Sequence, residues 1–136
     1  MLDTAYLQLQ AKIEDTIGKF LSSKTILVKL VNSSLVDIKY EAEKLLVEHD
    51  QLSIELTNNT KKIDEIKNSG NYTYLDVINL TKFYGQLISH LDVIDHLEKL
   101  NEGDFDLFGI TVPFLGISVK TLLIIVGGIV VIKKIL

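Results

Sequence analysis

Apolar positions recur along most of this chain at alternating spacings of three and four, the rhythm of a helix that packs against other helices. Leu2, Tyr6, Leu9, Ile13, Thr16 and Phe20 step 4-3-4-3-4 and predict a first helix over 2–21. Ser22 and Ser23 then interrupt the stripe. Serine competes for backbone hydrogen bonds and suits an N-cap, so a second helix is expected from Lys24. The alternative is one continuous helix whose stripe slips by a position through Leu21, Lys24 and Val28.

From Val28 the rhythm continues without a slip through Val31, Leu35, Ile38, Ala42, Leu45, His49, Leu52, Leu56, Asn59, Ile63 and Ile66. So long a heptad series predicts a helix over 24–67 in a coiled coil or long bundle. Its weak point is Asn32-Ser33-Ser34, residue types that favour caps and turns. The β-branched stretch 25–31 lacks the strict alternation of a strand, so helix is retained. Asn68-Ser69-Gly70-Asn71 is a stop with a glycine for the left-handed conformation. A third helix is expected over 73–101, with Val77, Leu80, Tyr84, Leu87, Leu91 and Ile94 on its seam and Ile88 and Leu97 widening the stripe. The short loop before it makes the second and third helices antiparallel neighbours.

The pattern changes after Asn101-Glu102-Gly103-Asp104. Residues 104–117 are largely apolar but carry Gly109, Pro113 and Gly116. Proline inside a helix costs about 3 kcal/mol or more, which predicts a non-helical connector at a membrane interface. Phe105, Phe108 and Phe114 are expected to dip into the headgroups. Residues 118–136 then read as a transmembrane anchor, entered from Phe114 and Ile117. It runs through Lys120, Leu122, Leu123, Ile124, Ile125, Val126, Gly127, Gly128, Ile129, Val130, Val131 and Ile132 to Lys133 and Lys134. Its length is marginal: 114–132 would span about 28 Å as a helix against roughly 30 Å of hydrocarbon, and Lys120 must snorkel outward. Gly127-Gly128 permits close approach of another transmembrane helix; simple tolerance of small residues explains it equally well. The expected architecture is all-α. A long antiparallel helical hairpin or three-helix coiled-coil bundle fills 1–103, the interfacial connector 104–117, and a single C-terminal transmembrane helix 118–136.

Charge sharpens this division. Residues 1–106 hold 11 Lys against 18 Asp and Glu, a net of −7, whereas residues 107–136 hold 3 Lys and no acid. The acidic bundle has no concentrated basic face, so no nucleic-acid partner is expected. All 14 basic residues are lysine, which removes the bidentate fork that recognises phosphate and carboxylate. Cysteine is absent, which excludes disulfides and thiolate chemistry. The N-terminus carries an early aspartate and no signal-peptide pattern. An unsignalled domain of this size is expected to stay cytoplasmic. That argument outweighs the positive-inside preference of the Lys133-Lys134 end.

Candidate chemistry is sparse. His49 and Asn59 interrupt the second seam and are expected to fix alignment and partner number. Protonating His49 near about pH 6 would charge a packed seam, so loosening on acidification is expected. His90, Asp92, Asp95 and His96 cluster on the third helix, and Asp92 and His96 share a face at i, i+4. Without a second matched pair, neither a metal nor any other cofactor is expected. No phosphate-cradling glycine loop and no Ser–His pairing is apparent, and the carboxylates are scattered, so no enzymatic activity and no small-molecule substrate are expected.

A small acidic helical rod before a lysine-rimmed span suggests a membrane-anchored scaffold. Its expected partners are the lipid bilayer and other protein subunits, in a homo-oligomer or a capsid-like lattice. In size and layout it is similar to small anchored proteins of viruses that carry a membrane beneath the capsid. Phage holin- or haemolysin-like permeabilising proteins resemble it in layout too, as do coiled-coil tethers of the SNARE kind.

Overall fold

The computed structural model describes residues 2–102, 104–107 and 110–113, the last two stretches as backbone. Three helices make up its body: α1 (Thr4–Leu30), α2 (Val36–Ser69) and α3 (Tyr74–Asn101). Two short strands follow, β1 (Asp104–Leu107) and β2 (Ile110–Pro113), paired antiparallel with Phe105 opposite Val112. Among the described residues no helix is long and apolar enough to cross a membrane. The expected anchor, Phe114 through Lys134, lies outside the described residues.

The first helix break falls elsewhere than expected. Ser22 and Ser23 lie inside α1, because each hydroxyl donates to a carbonyl of its own helix: Ser22 Oγ to Gly18 O at 2.9 Å and Ser23 Oγ to Phe20 O at 2.6 Å. Hydroxyls satisfied in this way leave the helical ladder intact. The helix ends instead at the Asn32-Ser33-Ser34 weak point. The N–H groups of Asn32 and Ser33 bond to Lys29 O and Leu30 O in a closing turn. Ser33 Oγ then accepts from Leu35 N–H at 3.1 Å and donates to Asn101 Oδ1 at 2.5 Å. The stripe does not slip either: Phe20, Ser23, Leu27 and Leu30 continue it 3-4-3, while Leu21 and Val28 face outward.

The second break matches its signals. Gly70 adopts φ 71°, the left-handed C-terminal conformation that favours glycine. Thr73 and Asp76 then form a reciprocal capping box at the start of α3, at 2.8 and 3.1 Å. Asp3 caps α1 through Tyr6 N–H at 2.8 Å and accepts from the Tyr72 hydroxyl. Both tie its carboxyl below the usual range, Tyr72 most strongly. The Asp3–Tyr72 contact joins the start of α1 to the α2–α3 loop. The Ser33–Asn101 contact joins the α1–α2 loop to the end of α3. These clasps fix an up-down-up bundle, with α1 and α3 parallel and α2 antiparallel to both.

Burial along α2 follows the expected seam, with Ile38, Ala42, Leu45, His49, Leu52, Leu56, Ile63 and Ile66 buried and Asn59 half-buried; Val31 and Leu35, expected on the same helix, are half-buried in the α1–α2 connection. Along α3 the seam is partly displaced. Leu80, Leu87 and Ile94 are buried as expected, but the places given to Tyr84 and Leu91 belong to Phe83 and His90. Tyr84 and Leu91 are half-buried beside them. Three helices close around one axis, and each presents a narrow line of side chains to it. The buried line on α3 (80, 83, 87, 90, 94, 97) keeps strict 3-4 spacing only if a histidine is included.

Deleting side chains checks this placement. Phe83→Ala is expected to cost about 3–5 kcal/mol and Leu87→Ala about 2–5 kcal/mol. Leu91→Ala should cost less than half as much as Leu87→Ala in denaturant melts. Equal losses at 87 and 91 would contradict the observed seam.

Candidate functional site: a buried histidine layer

The apolar core is two blocks. One gathers Leu27, Leu30, Ile38, Ala42, Leu45, Ile94, Leu97 and Leu100 toward the end of α3. The other gathers Tyr6, Ile13, Phe20, Leu52, Leu56, Ile63, Ile66, Leu80, Phe83 and Leu87. Between them lies a layer to which each helix gives one polar side chain: Ser23 from α1, His49 from α2 and His90 from α3, exposed by 3%, 2% and 1%. Each is one seam step of three or four from apolar neighbours on its own helix. The periodicity that builds the bundle therefore also drives these groups inside.

Buried polar groups must find partners, and these find one another. His49 Nδ1 lies 3.1 Å from His90 Nε2, and His90 Nδ1 lies 2.9 Å from Glu48 Oε1 at the surface of α2. Ser23 Oγ is 3.5 Å from the same His49 Nδ1. One assignment satisfies the chain with both rings neutral. His90 Nδ1–H donates to the Glu48 carboxylate, and His90 Nε2 accepts from His49 Nδ1–H. Ser23 spends its own proton on Phe20 O and turns its oxygen lone pairs toward His49. Phe20 stacks on the His49 ring at 4.1 Å with 7° between planes, and meets His90 at a tilt of 49°. The aromatic face closes the layer toward the second block.

The groups facing His49 decide its proton affinity. Burial lowers it below the ordinary histidine value, the His90 ring and Lys24 push the same way, and Asp50 opposes them. Lys24 and Asp50 themselves pair across α1 and α2 at 3.8 Å. Chemically the layer is a hydrogen-bonded relay from an exposed carboxylate to a buried hydroxyl. The backbone N–H groups beside Ser23 belong to the interior of α1, so no pair of free donors faces its hydroxyl as an oxyanion would require.

The other sequence candidates separate from this layer. Asn59 turns back on its own helix, donating to Glu55 O at 2.7 Å, so of the two seam interruptions on α2 His49 is the one that reaches across helices. His96 Nδ1 lies 2.7 Å from Asp92 O and 3.7 Å from its carboxylate, a contact within α3. Asp95 pairs with Lys99 at 3.1 Å. Among the described residues no group of three or more His, Asp or Glu is arranged to hold a metal ion. Sequence reasoning singled out both histidines but not their pairing. In sequence Ser23 resembles a helix breaker, and its burial shows only when the α1 seam is followed through it.

The lowered affinity of His49 fixes a pH dependence. The unfolded chain takes up a proton near about pH 6.5, where the folded state still holds this ring neutral. Stability is therefore full above about pH 6.5 and falls as pH drops below it, until the lower folded value is reached. The melting temperature should decline between about pH 7 and pH 5, and His49→Gln should flatten the decline. A wild-type profile that is flat across this window would refute the assignment.

No protein-family model, curated protein or solved structure matches this chain, so the reading of the layer rests on its own geometry.

Proposed function

We propose that this protein is a non-enzymatic, membrane-anchored scaffold that holds other protein subunits at a lipid bilayer. One observation carries the reading: the chain divides into an acidic helical part and the lysine-rimmed apolar stretch 107–136, which has 3 Lys and no acid. Residues 118–136 are the transmembrane helix of this proposal, and residues 104–117 lie at the interface. The bundle would stand on the cytoplasmic side, and a membrane lining a virus capsid is one setting that suits it. The three-helix bundle supports the role by its elongated shape. Its longest helix, 34 residues, gives a rod of about 50 Å whose long faces can meet neighbours.

A permeabilising role is the second reading, favoured by Gly127-Gly128 in the middle of so short a span. Flotation of the full chain with phosphatidylcholine vesicles separates the outcomes. The scaffold reading expects carbonate-resistant co-flotation without release of an entrapped dye. Val126→Arg with Val130→Arg should abolish flotation, since each arginine adds about 2.5–3.5 kcal/mol to insertion. Dye release at low protein-to-lipid ratio would favour permeabilisation. A chain that stays at the bottom of the gradient would refute both.

A further inference from the structure

The three-helix core leaves part of the apolar stripe of α3 unused. Beside the buried line, Tyr84, Ile88 and Leu91 continue at spacings of four and three, and Asp95 and Glu98 extend the same line. Tyr84 and Leu91 are half-buried, and Ile88 is 42% exposed. They form one wall and the floor of a groove of about 850 Å³ between the parallel helices α1 and α3. The facing wall on α1 is low. Gly18 has open space where a Cβ would sit, and the Ser22 hydroxyl is turned back to Gly18 O. Ile26 adds an apolar contact at one end.

The rim is acidic. Asp15, Asp92, Asp95 and Glu98 border the groove against Lys19 alone among its lining residues, and Lys99 offsets Asp95 from outside it. A second copy offering the same face would set carboxylates against carboxylates. A groove between two parallel helices, walled at helical spacing, accepts a helix whose ridges enter it.

We propose that the α1–α3 groove is the docking site for a fourth helix from a partner protein: an amphipathic helix with an apolar stripe flanked by lysine or arginine. Apolar residues of the partner cover Tyr84, Ile88 and Leu91, and its flanking cations meet Asp15, Asp92 and Glu98. This deepens the scaffold reading by giving the chemistry of the subunit held, and it rests on that reading for the partner's role. The docking itself requires no span.

Trapping at single cysteines tests it, because the chain has none of its own. The full chain in phosphatidylcholine nanodiscs carries Ile88→Cys in the groove, or Ile54→Cys on the exposed face of α2, which is the more open of the two at 57%. The probe is a leucine–lysine helix of roughly three heptads bearing an activated disulfide, with a leucine–glutamate helix as its counterpart. The expected result is trapping of the lysine probe about ten-fold faster at 88 than at 54, with no such preference for the glutamate probe. Asp92→Asn with Glu98→Gln, which removes charge with little change of shape, should erase most of the preference. Equal rates at the two positions, equal trapping of both probes, or indifference to the neutralised rim would overturn the proposal. Vesicle flotation is read separately: preferential trapping by a chain that does not float would leave the groove standing and remove only the anchor.

Discussion

The structure depends on one constraint: three buried polar side chains, one from each helix, must meet in a single layer. Ser23, His49 and His90 are nearly solvent-free; Ser23 is satisfied by Phe20 O of its own helix, whereas the two imidazoles depend on this alignment to meet. Sliding α2 by a heptad would set Ala42 or Leu56 opposite His90 and leave an imidazole among apolar groups. An unpaired buried polar group costs about 1–3 kcal/mol, more than most single apolar contacts return. The long heptad series tolerates several registers, since one leucine seam fits another almost as well after a one-heptad slip. The polar layer removes that degeneracy, as a buried asparagine does in a coiled coil. The end clasps, Asp3–Tyr72 and Ser33–Asn101, agree with the same alignment.

That constraint also explains what could be read in advance. The seam of α2 was legible from Ile38 to Ile66 because nearly every inward position there is apolar, so periodicity alone identifies it. α1 is ambiguous at Ser22-Ser23, where composition favours a cap over the continuous alternative that the structure adopts. A serine hydroxyl bonded to its own helix looks, in sequence, like one that ends a helix. On α3, Phe83 adjoins Tyr84 and His90 adjoins Leu91, so two adjacent lines each have apolar claims to the core. Only the positions of α1 and α2 decide between them. His90 wins over Leu91 because His49 and Glu48 supply partners that no spacing on α3 reveals, from 41 and 42 residues away.

The displacement on α3 has a second consequence. Apolar residues that lose their place on the axis do not become polar. Tyr84, Ile88 and Leu91 remain half-covered beside the core, and the stripe of α3 is wider than two neighbouring helices can cover. A three-helix bundle with one overly wide stripe is close to a four-helix arrangement lacking a member. The acidic rim then sets which member would fit. In the proposed docking, the same acidity that distinguishes residues 1–106 from 107–136 would act locally as a selector of partners.

The layer sits where a change of charge has the greatest leverage. The block containing Leu97 and Leu100 is closed at its far end by the Ser33–Asn101 contact, and the block containing Tyr6 and Ile66 by the Asp3–Tyr72 contact. The layer joins the two blocks. A proton arriving at His49 takes the free Nε2 and charges a ring stacked flat on Phe20. Glu48 gives the hydrogen-bonded chain a solvent-exposed end on α2. Ser23 brings the other end to the lining of the α1–α3 groove. Ser23 therefore belongs both to the layer and to the lining of the groove. A helix seated in the proposed groove would therefore lie against the layer through Ser23, the same layer whose protonation at His49 is expected to weaken the bundle.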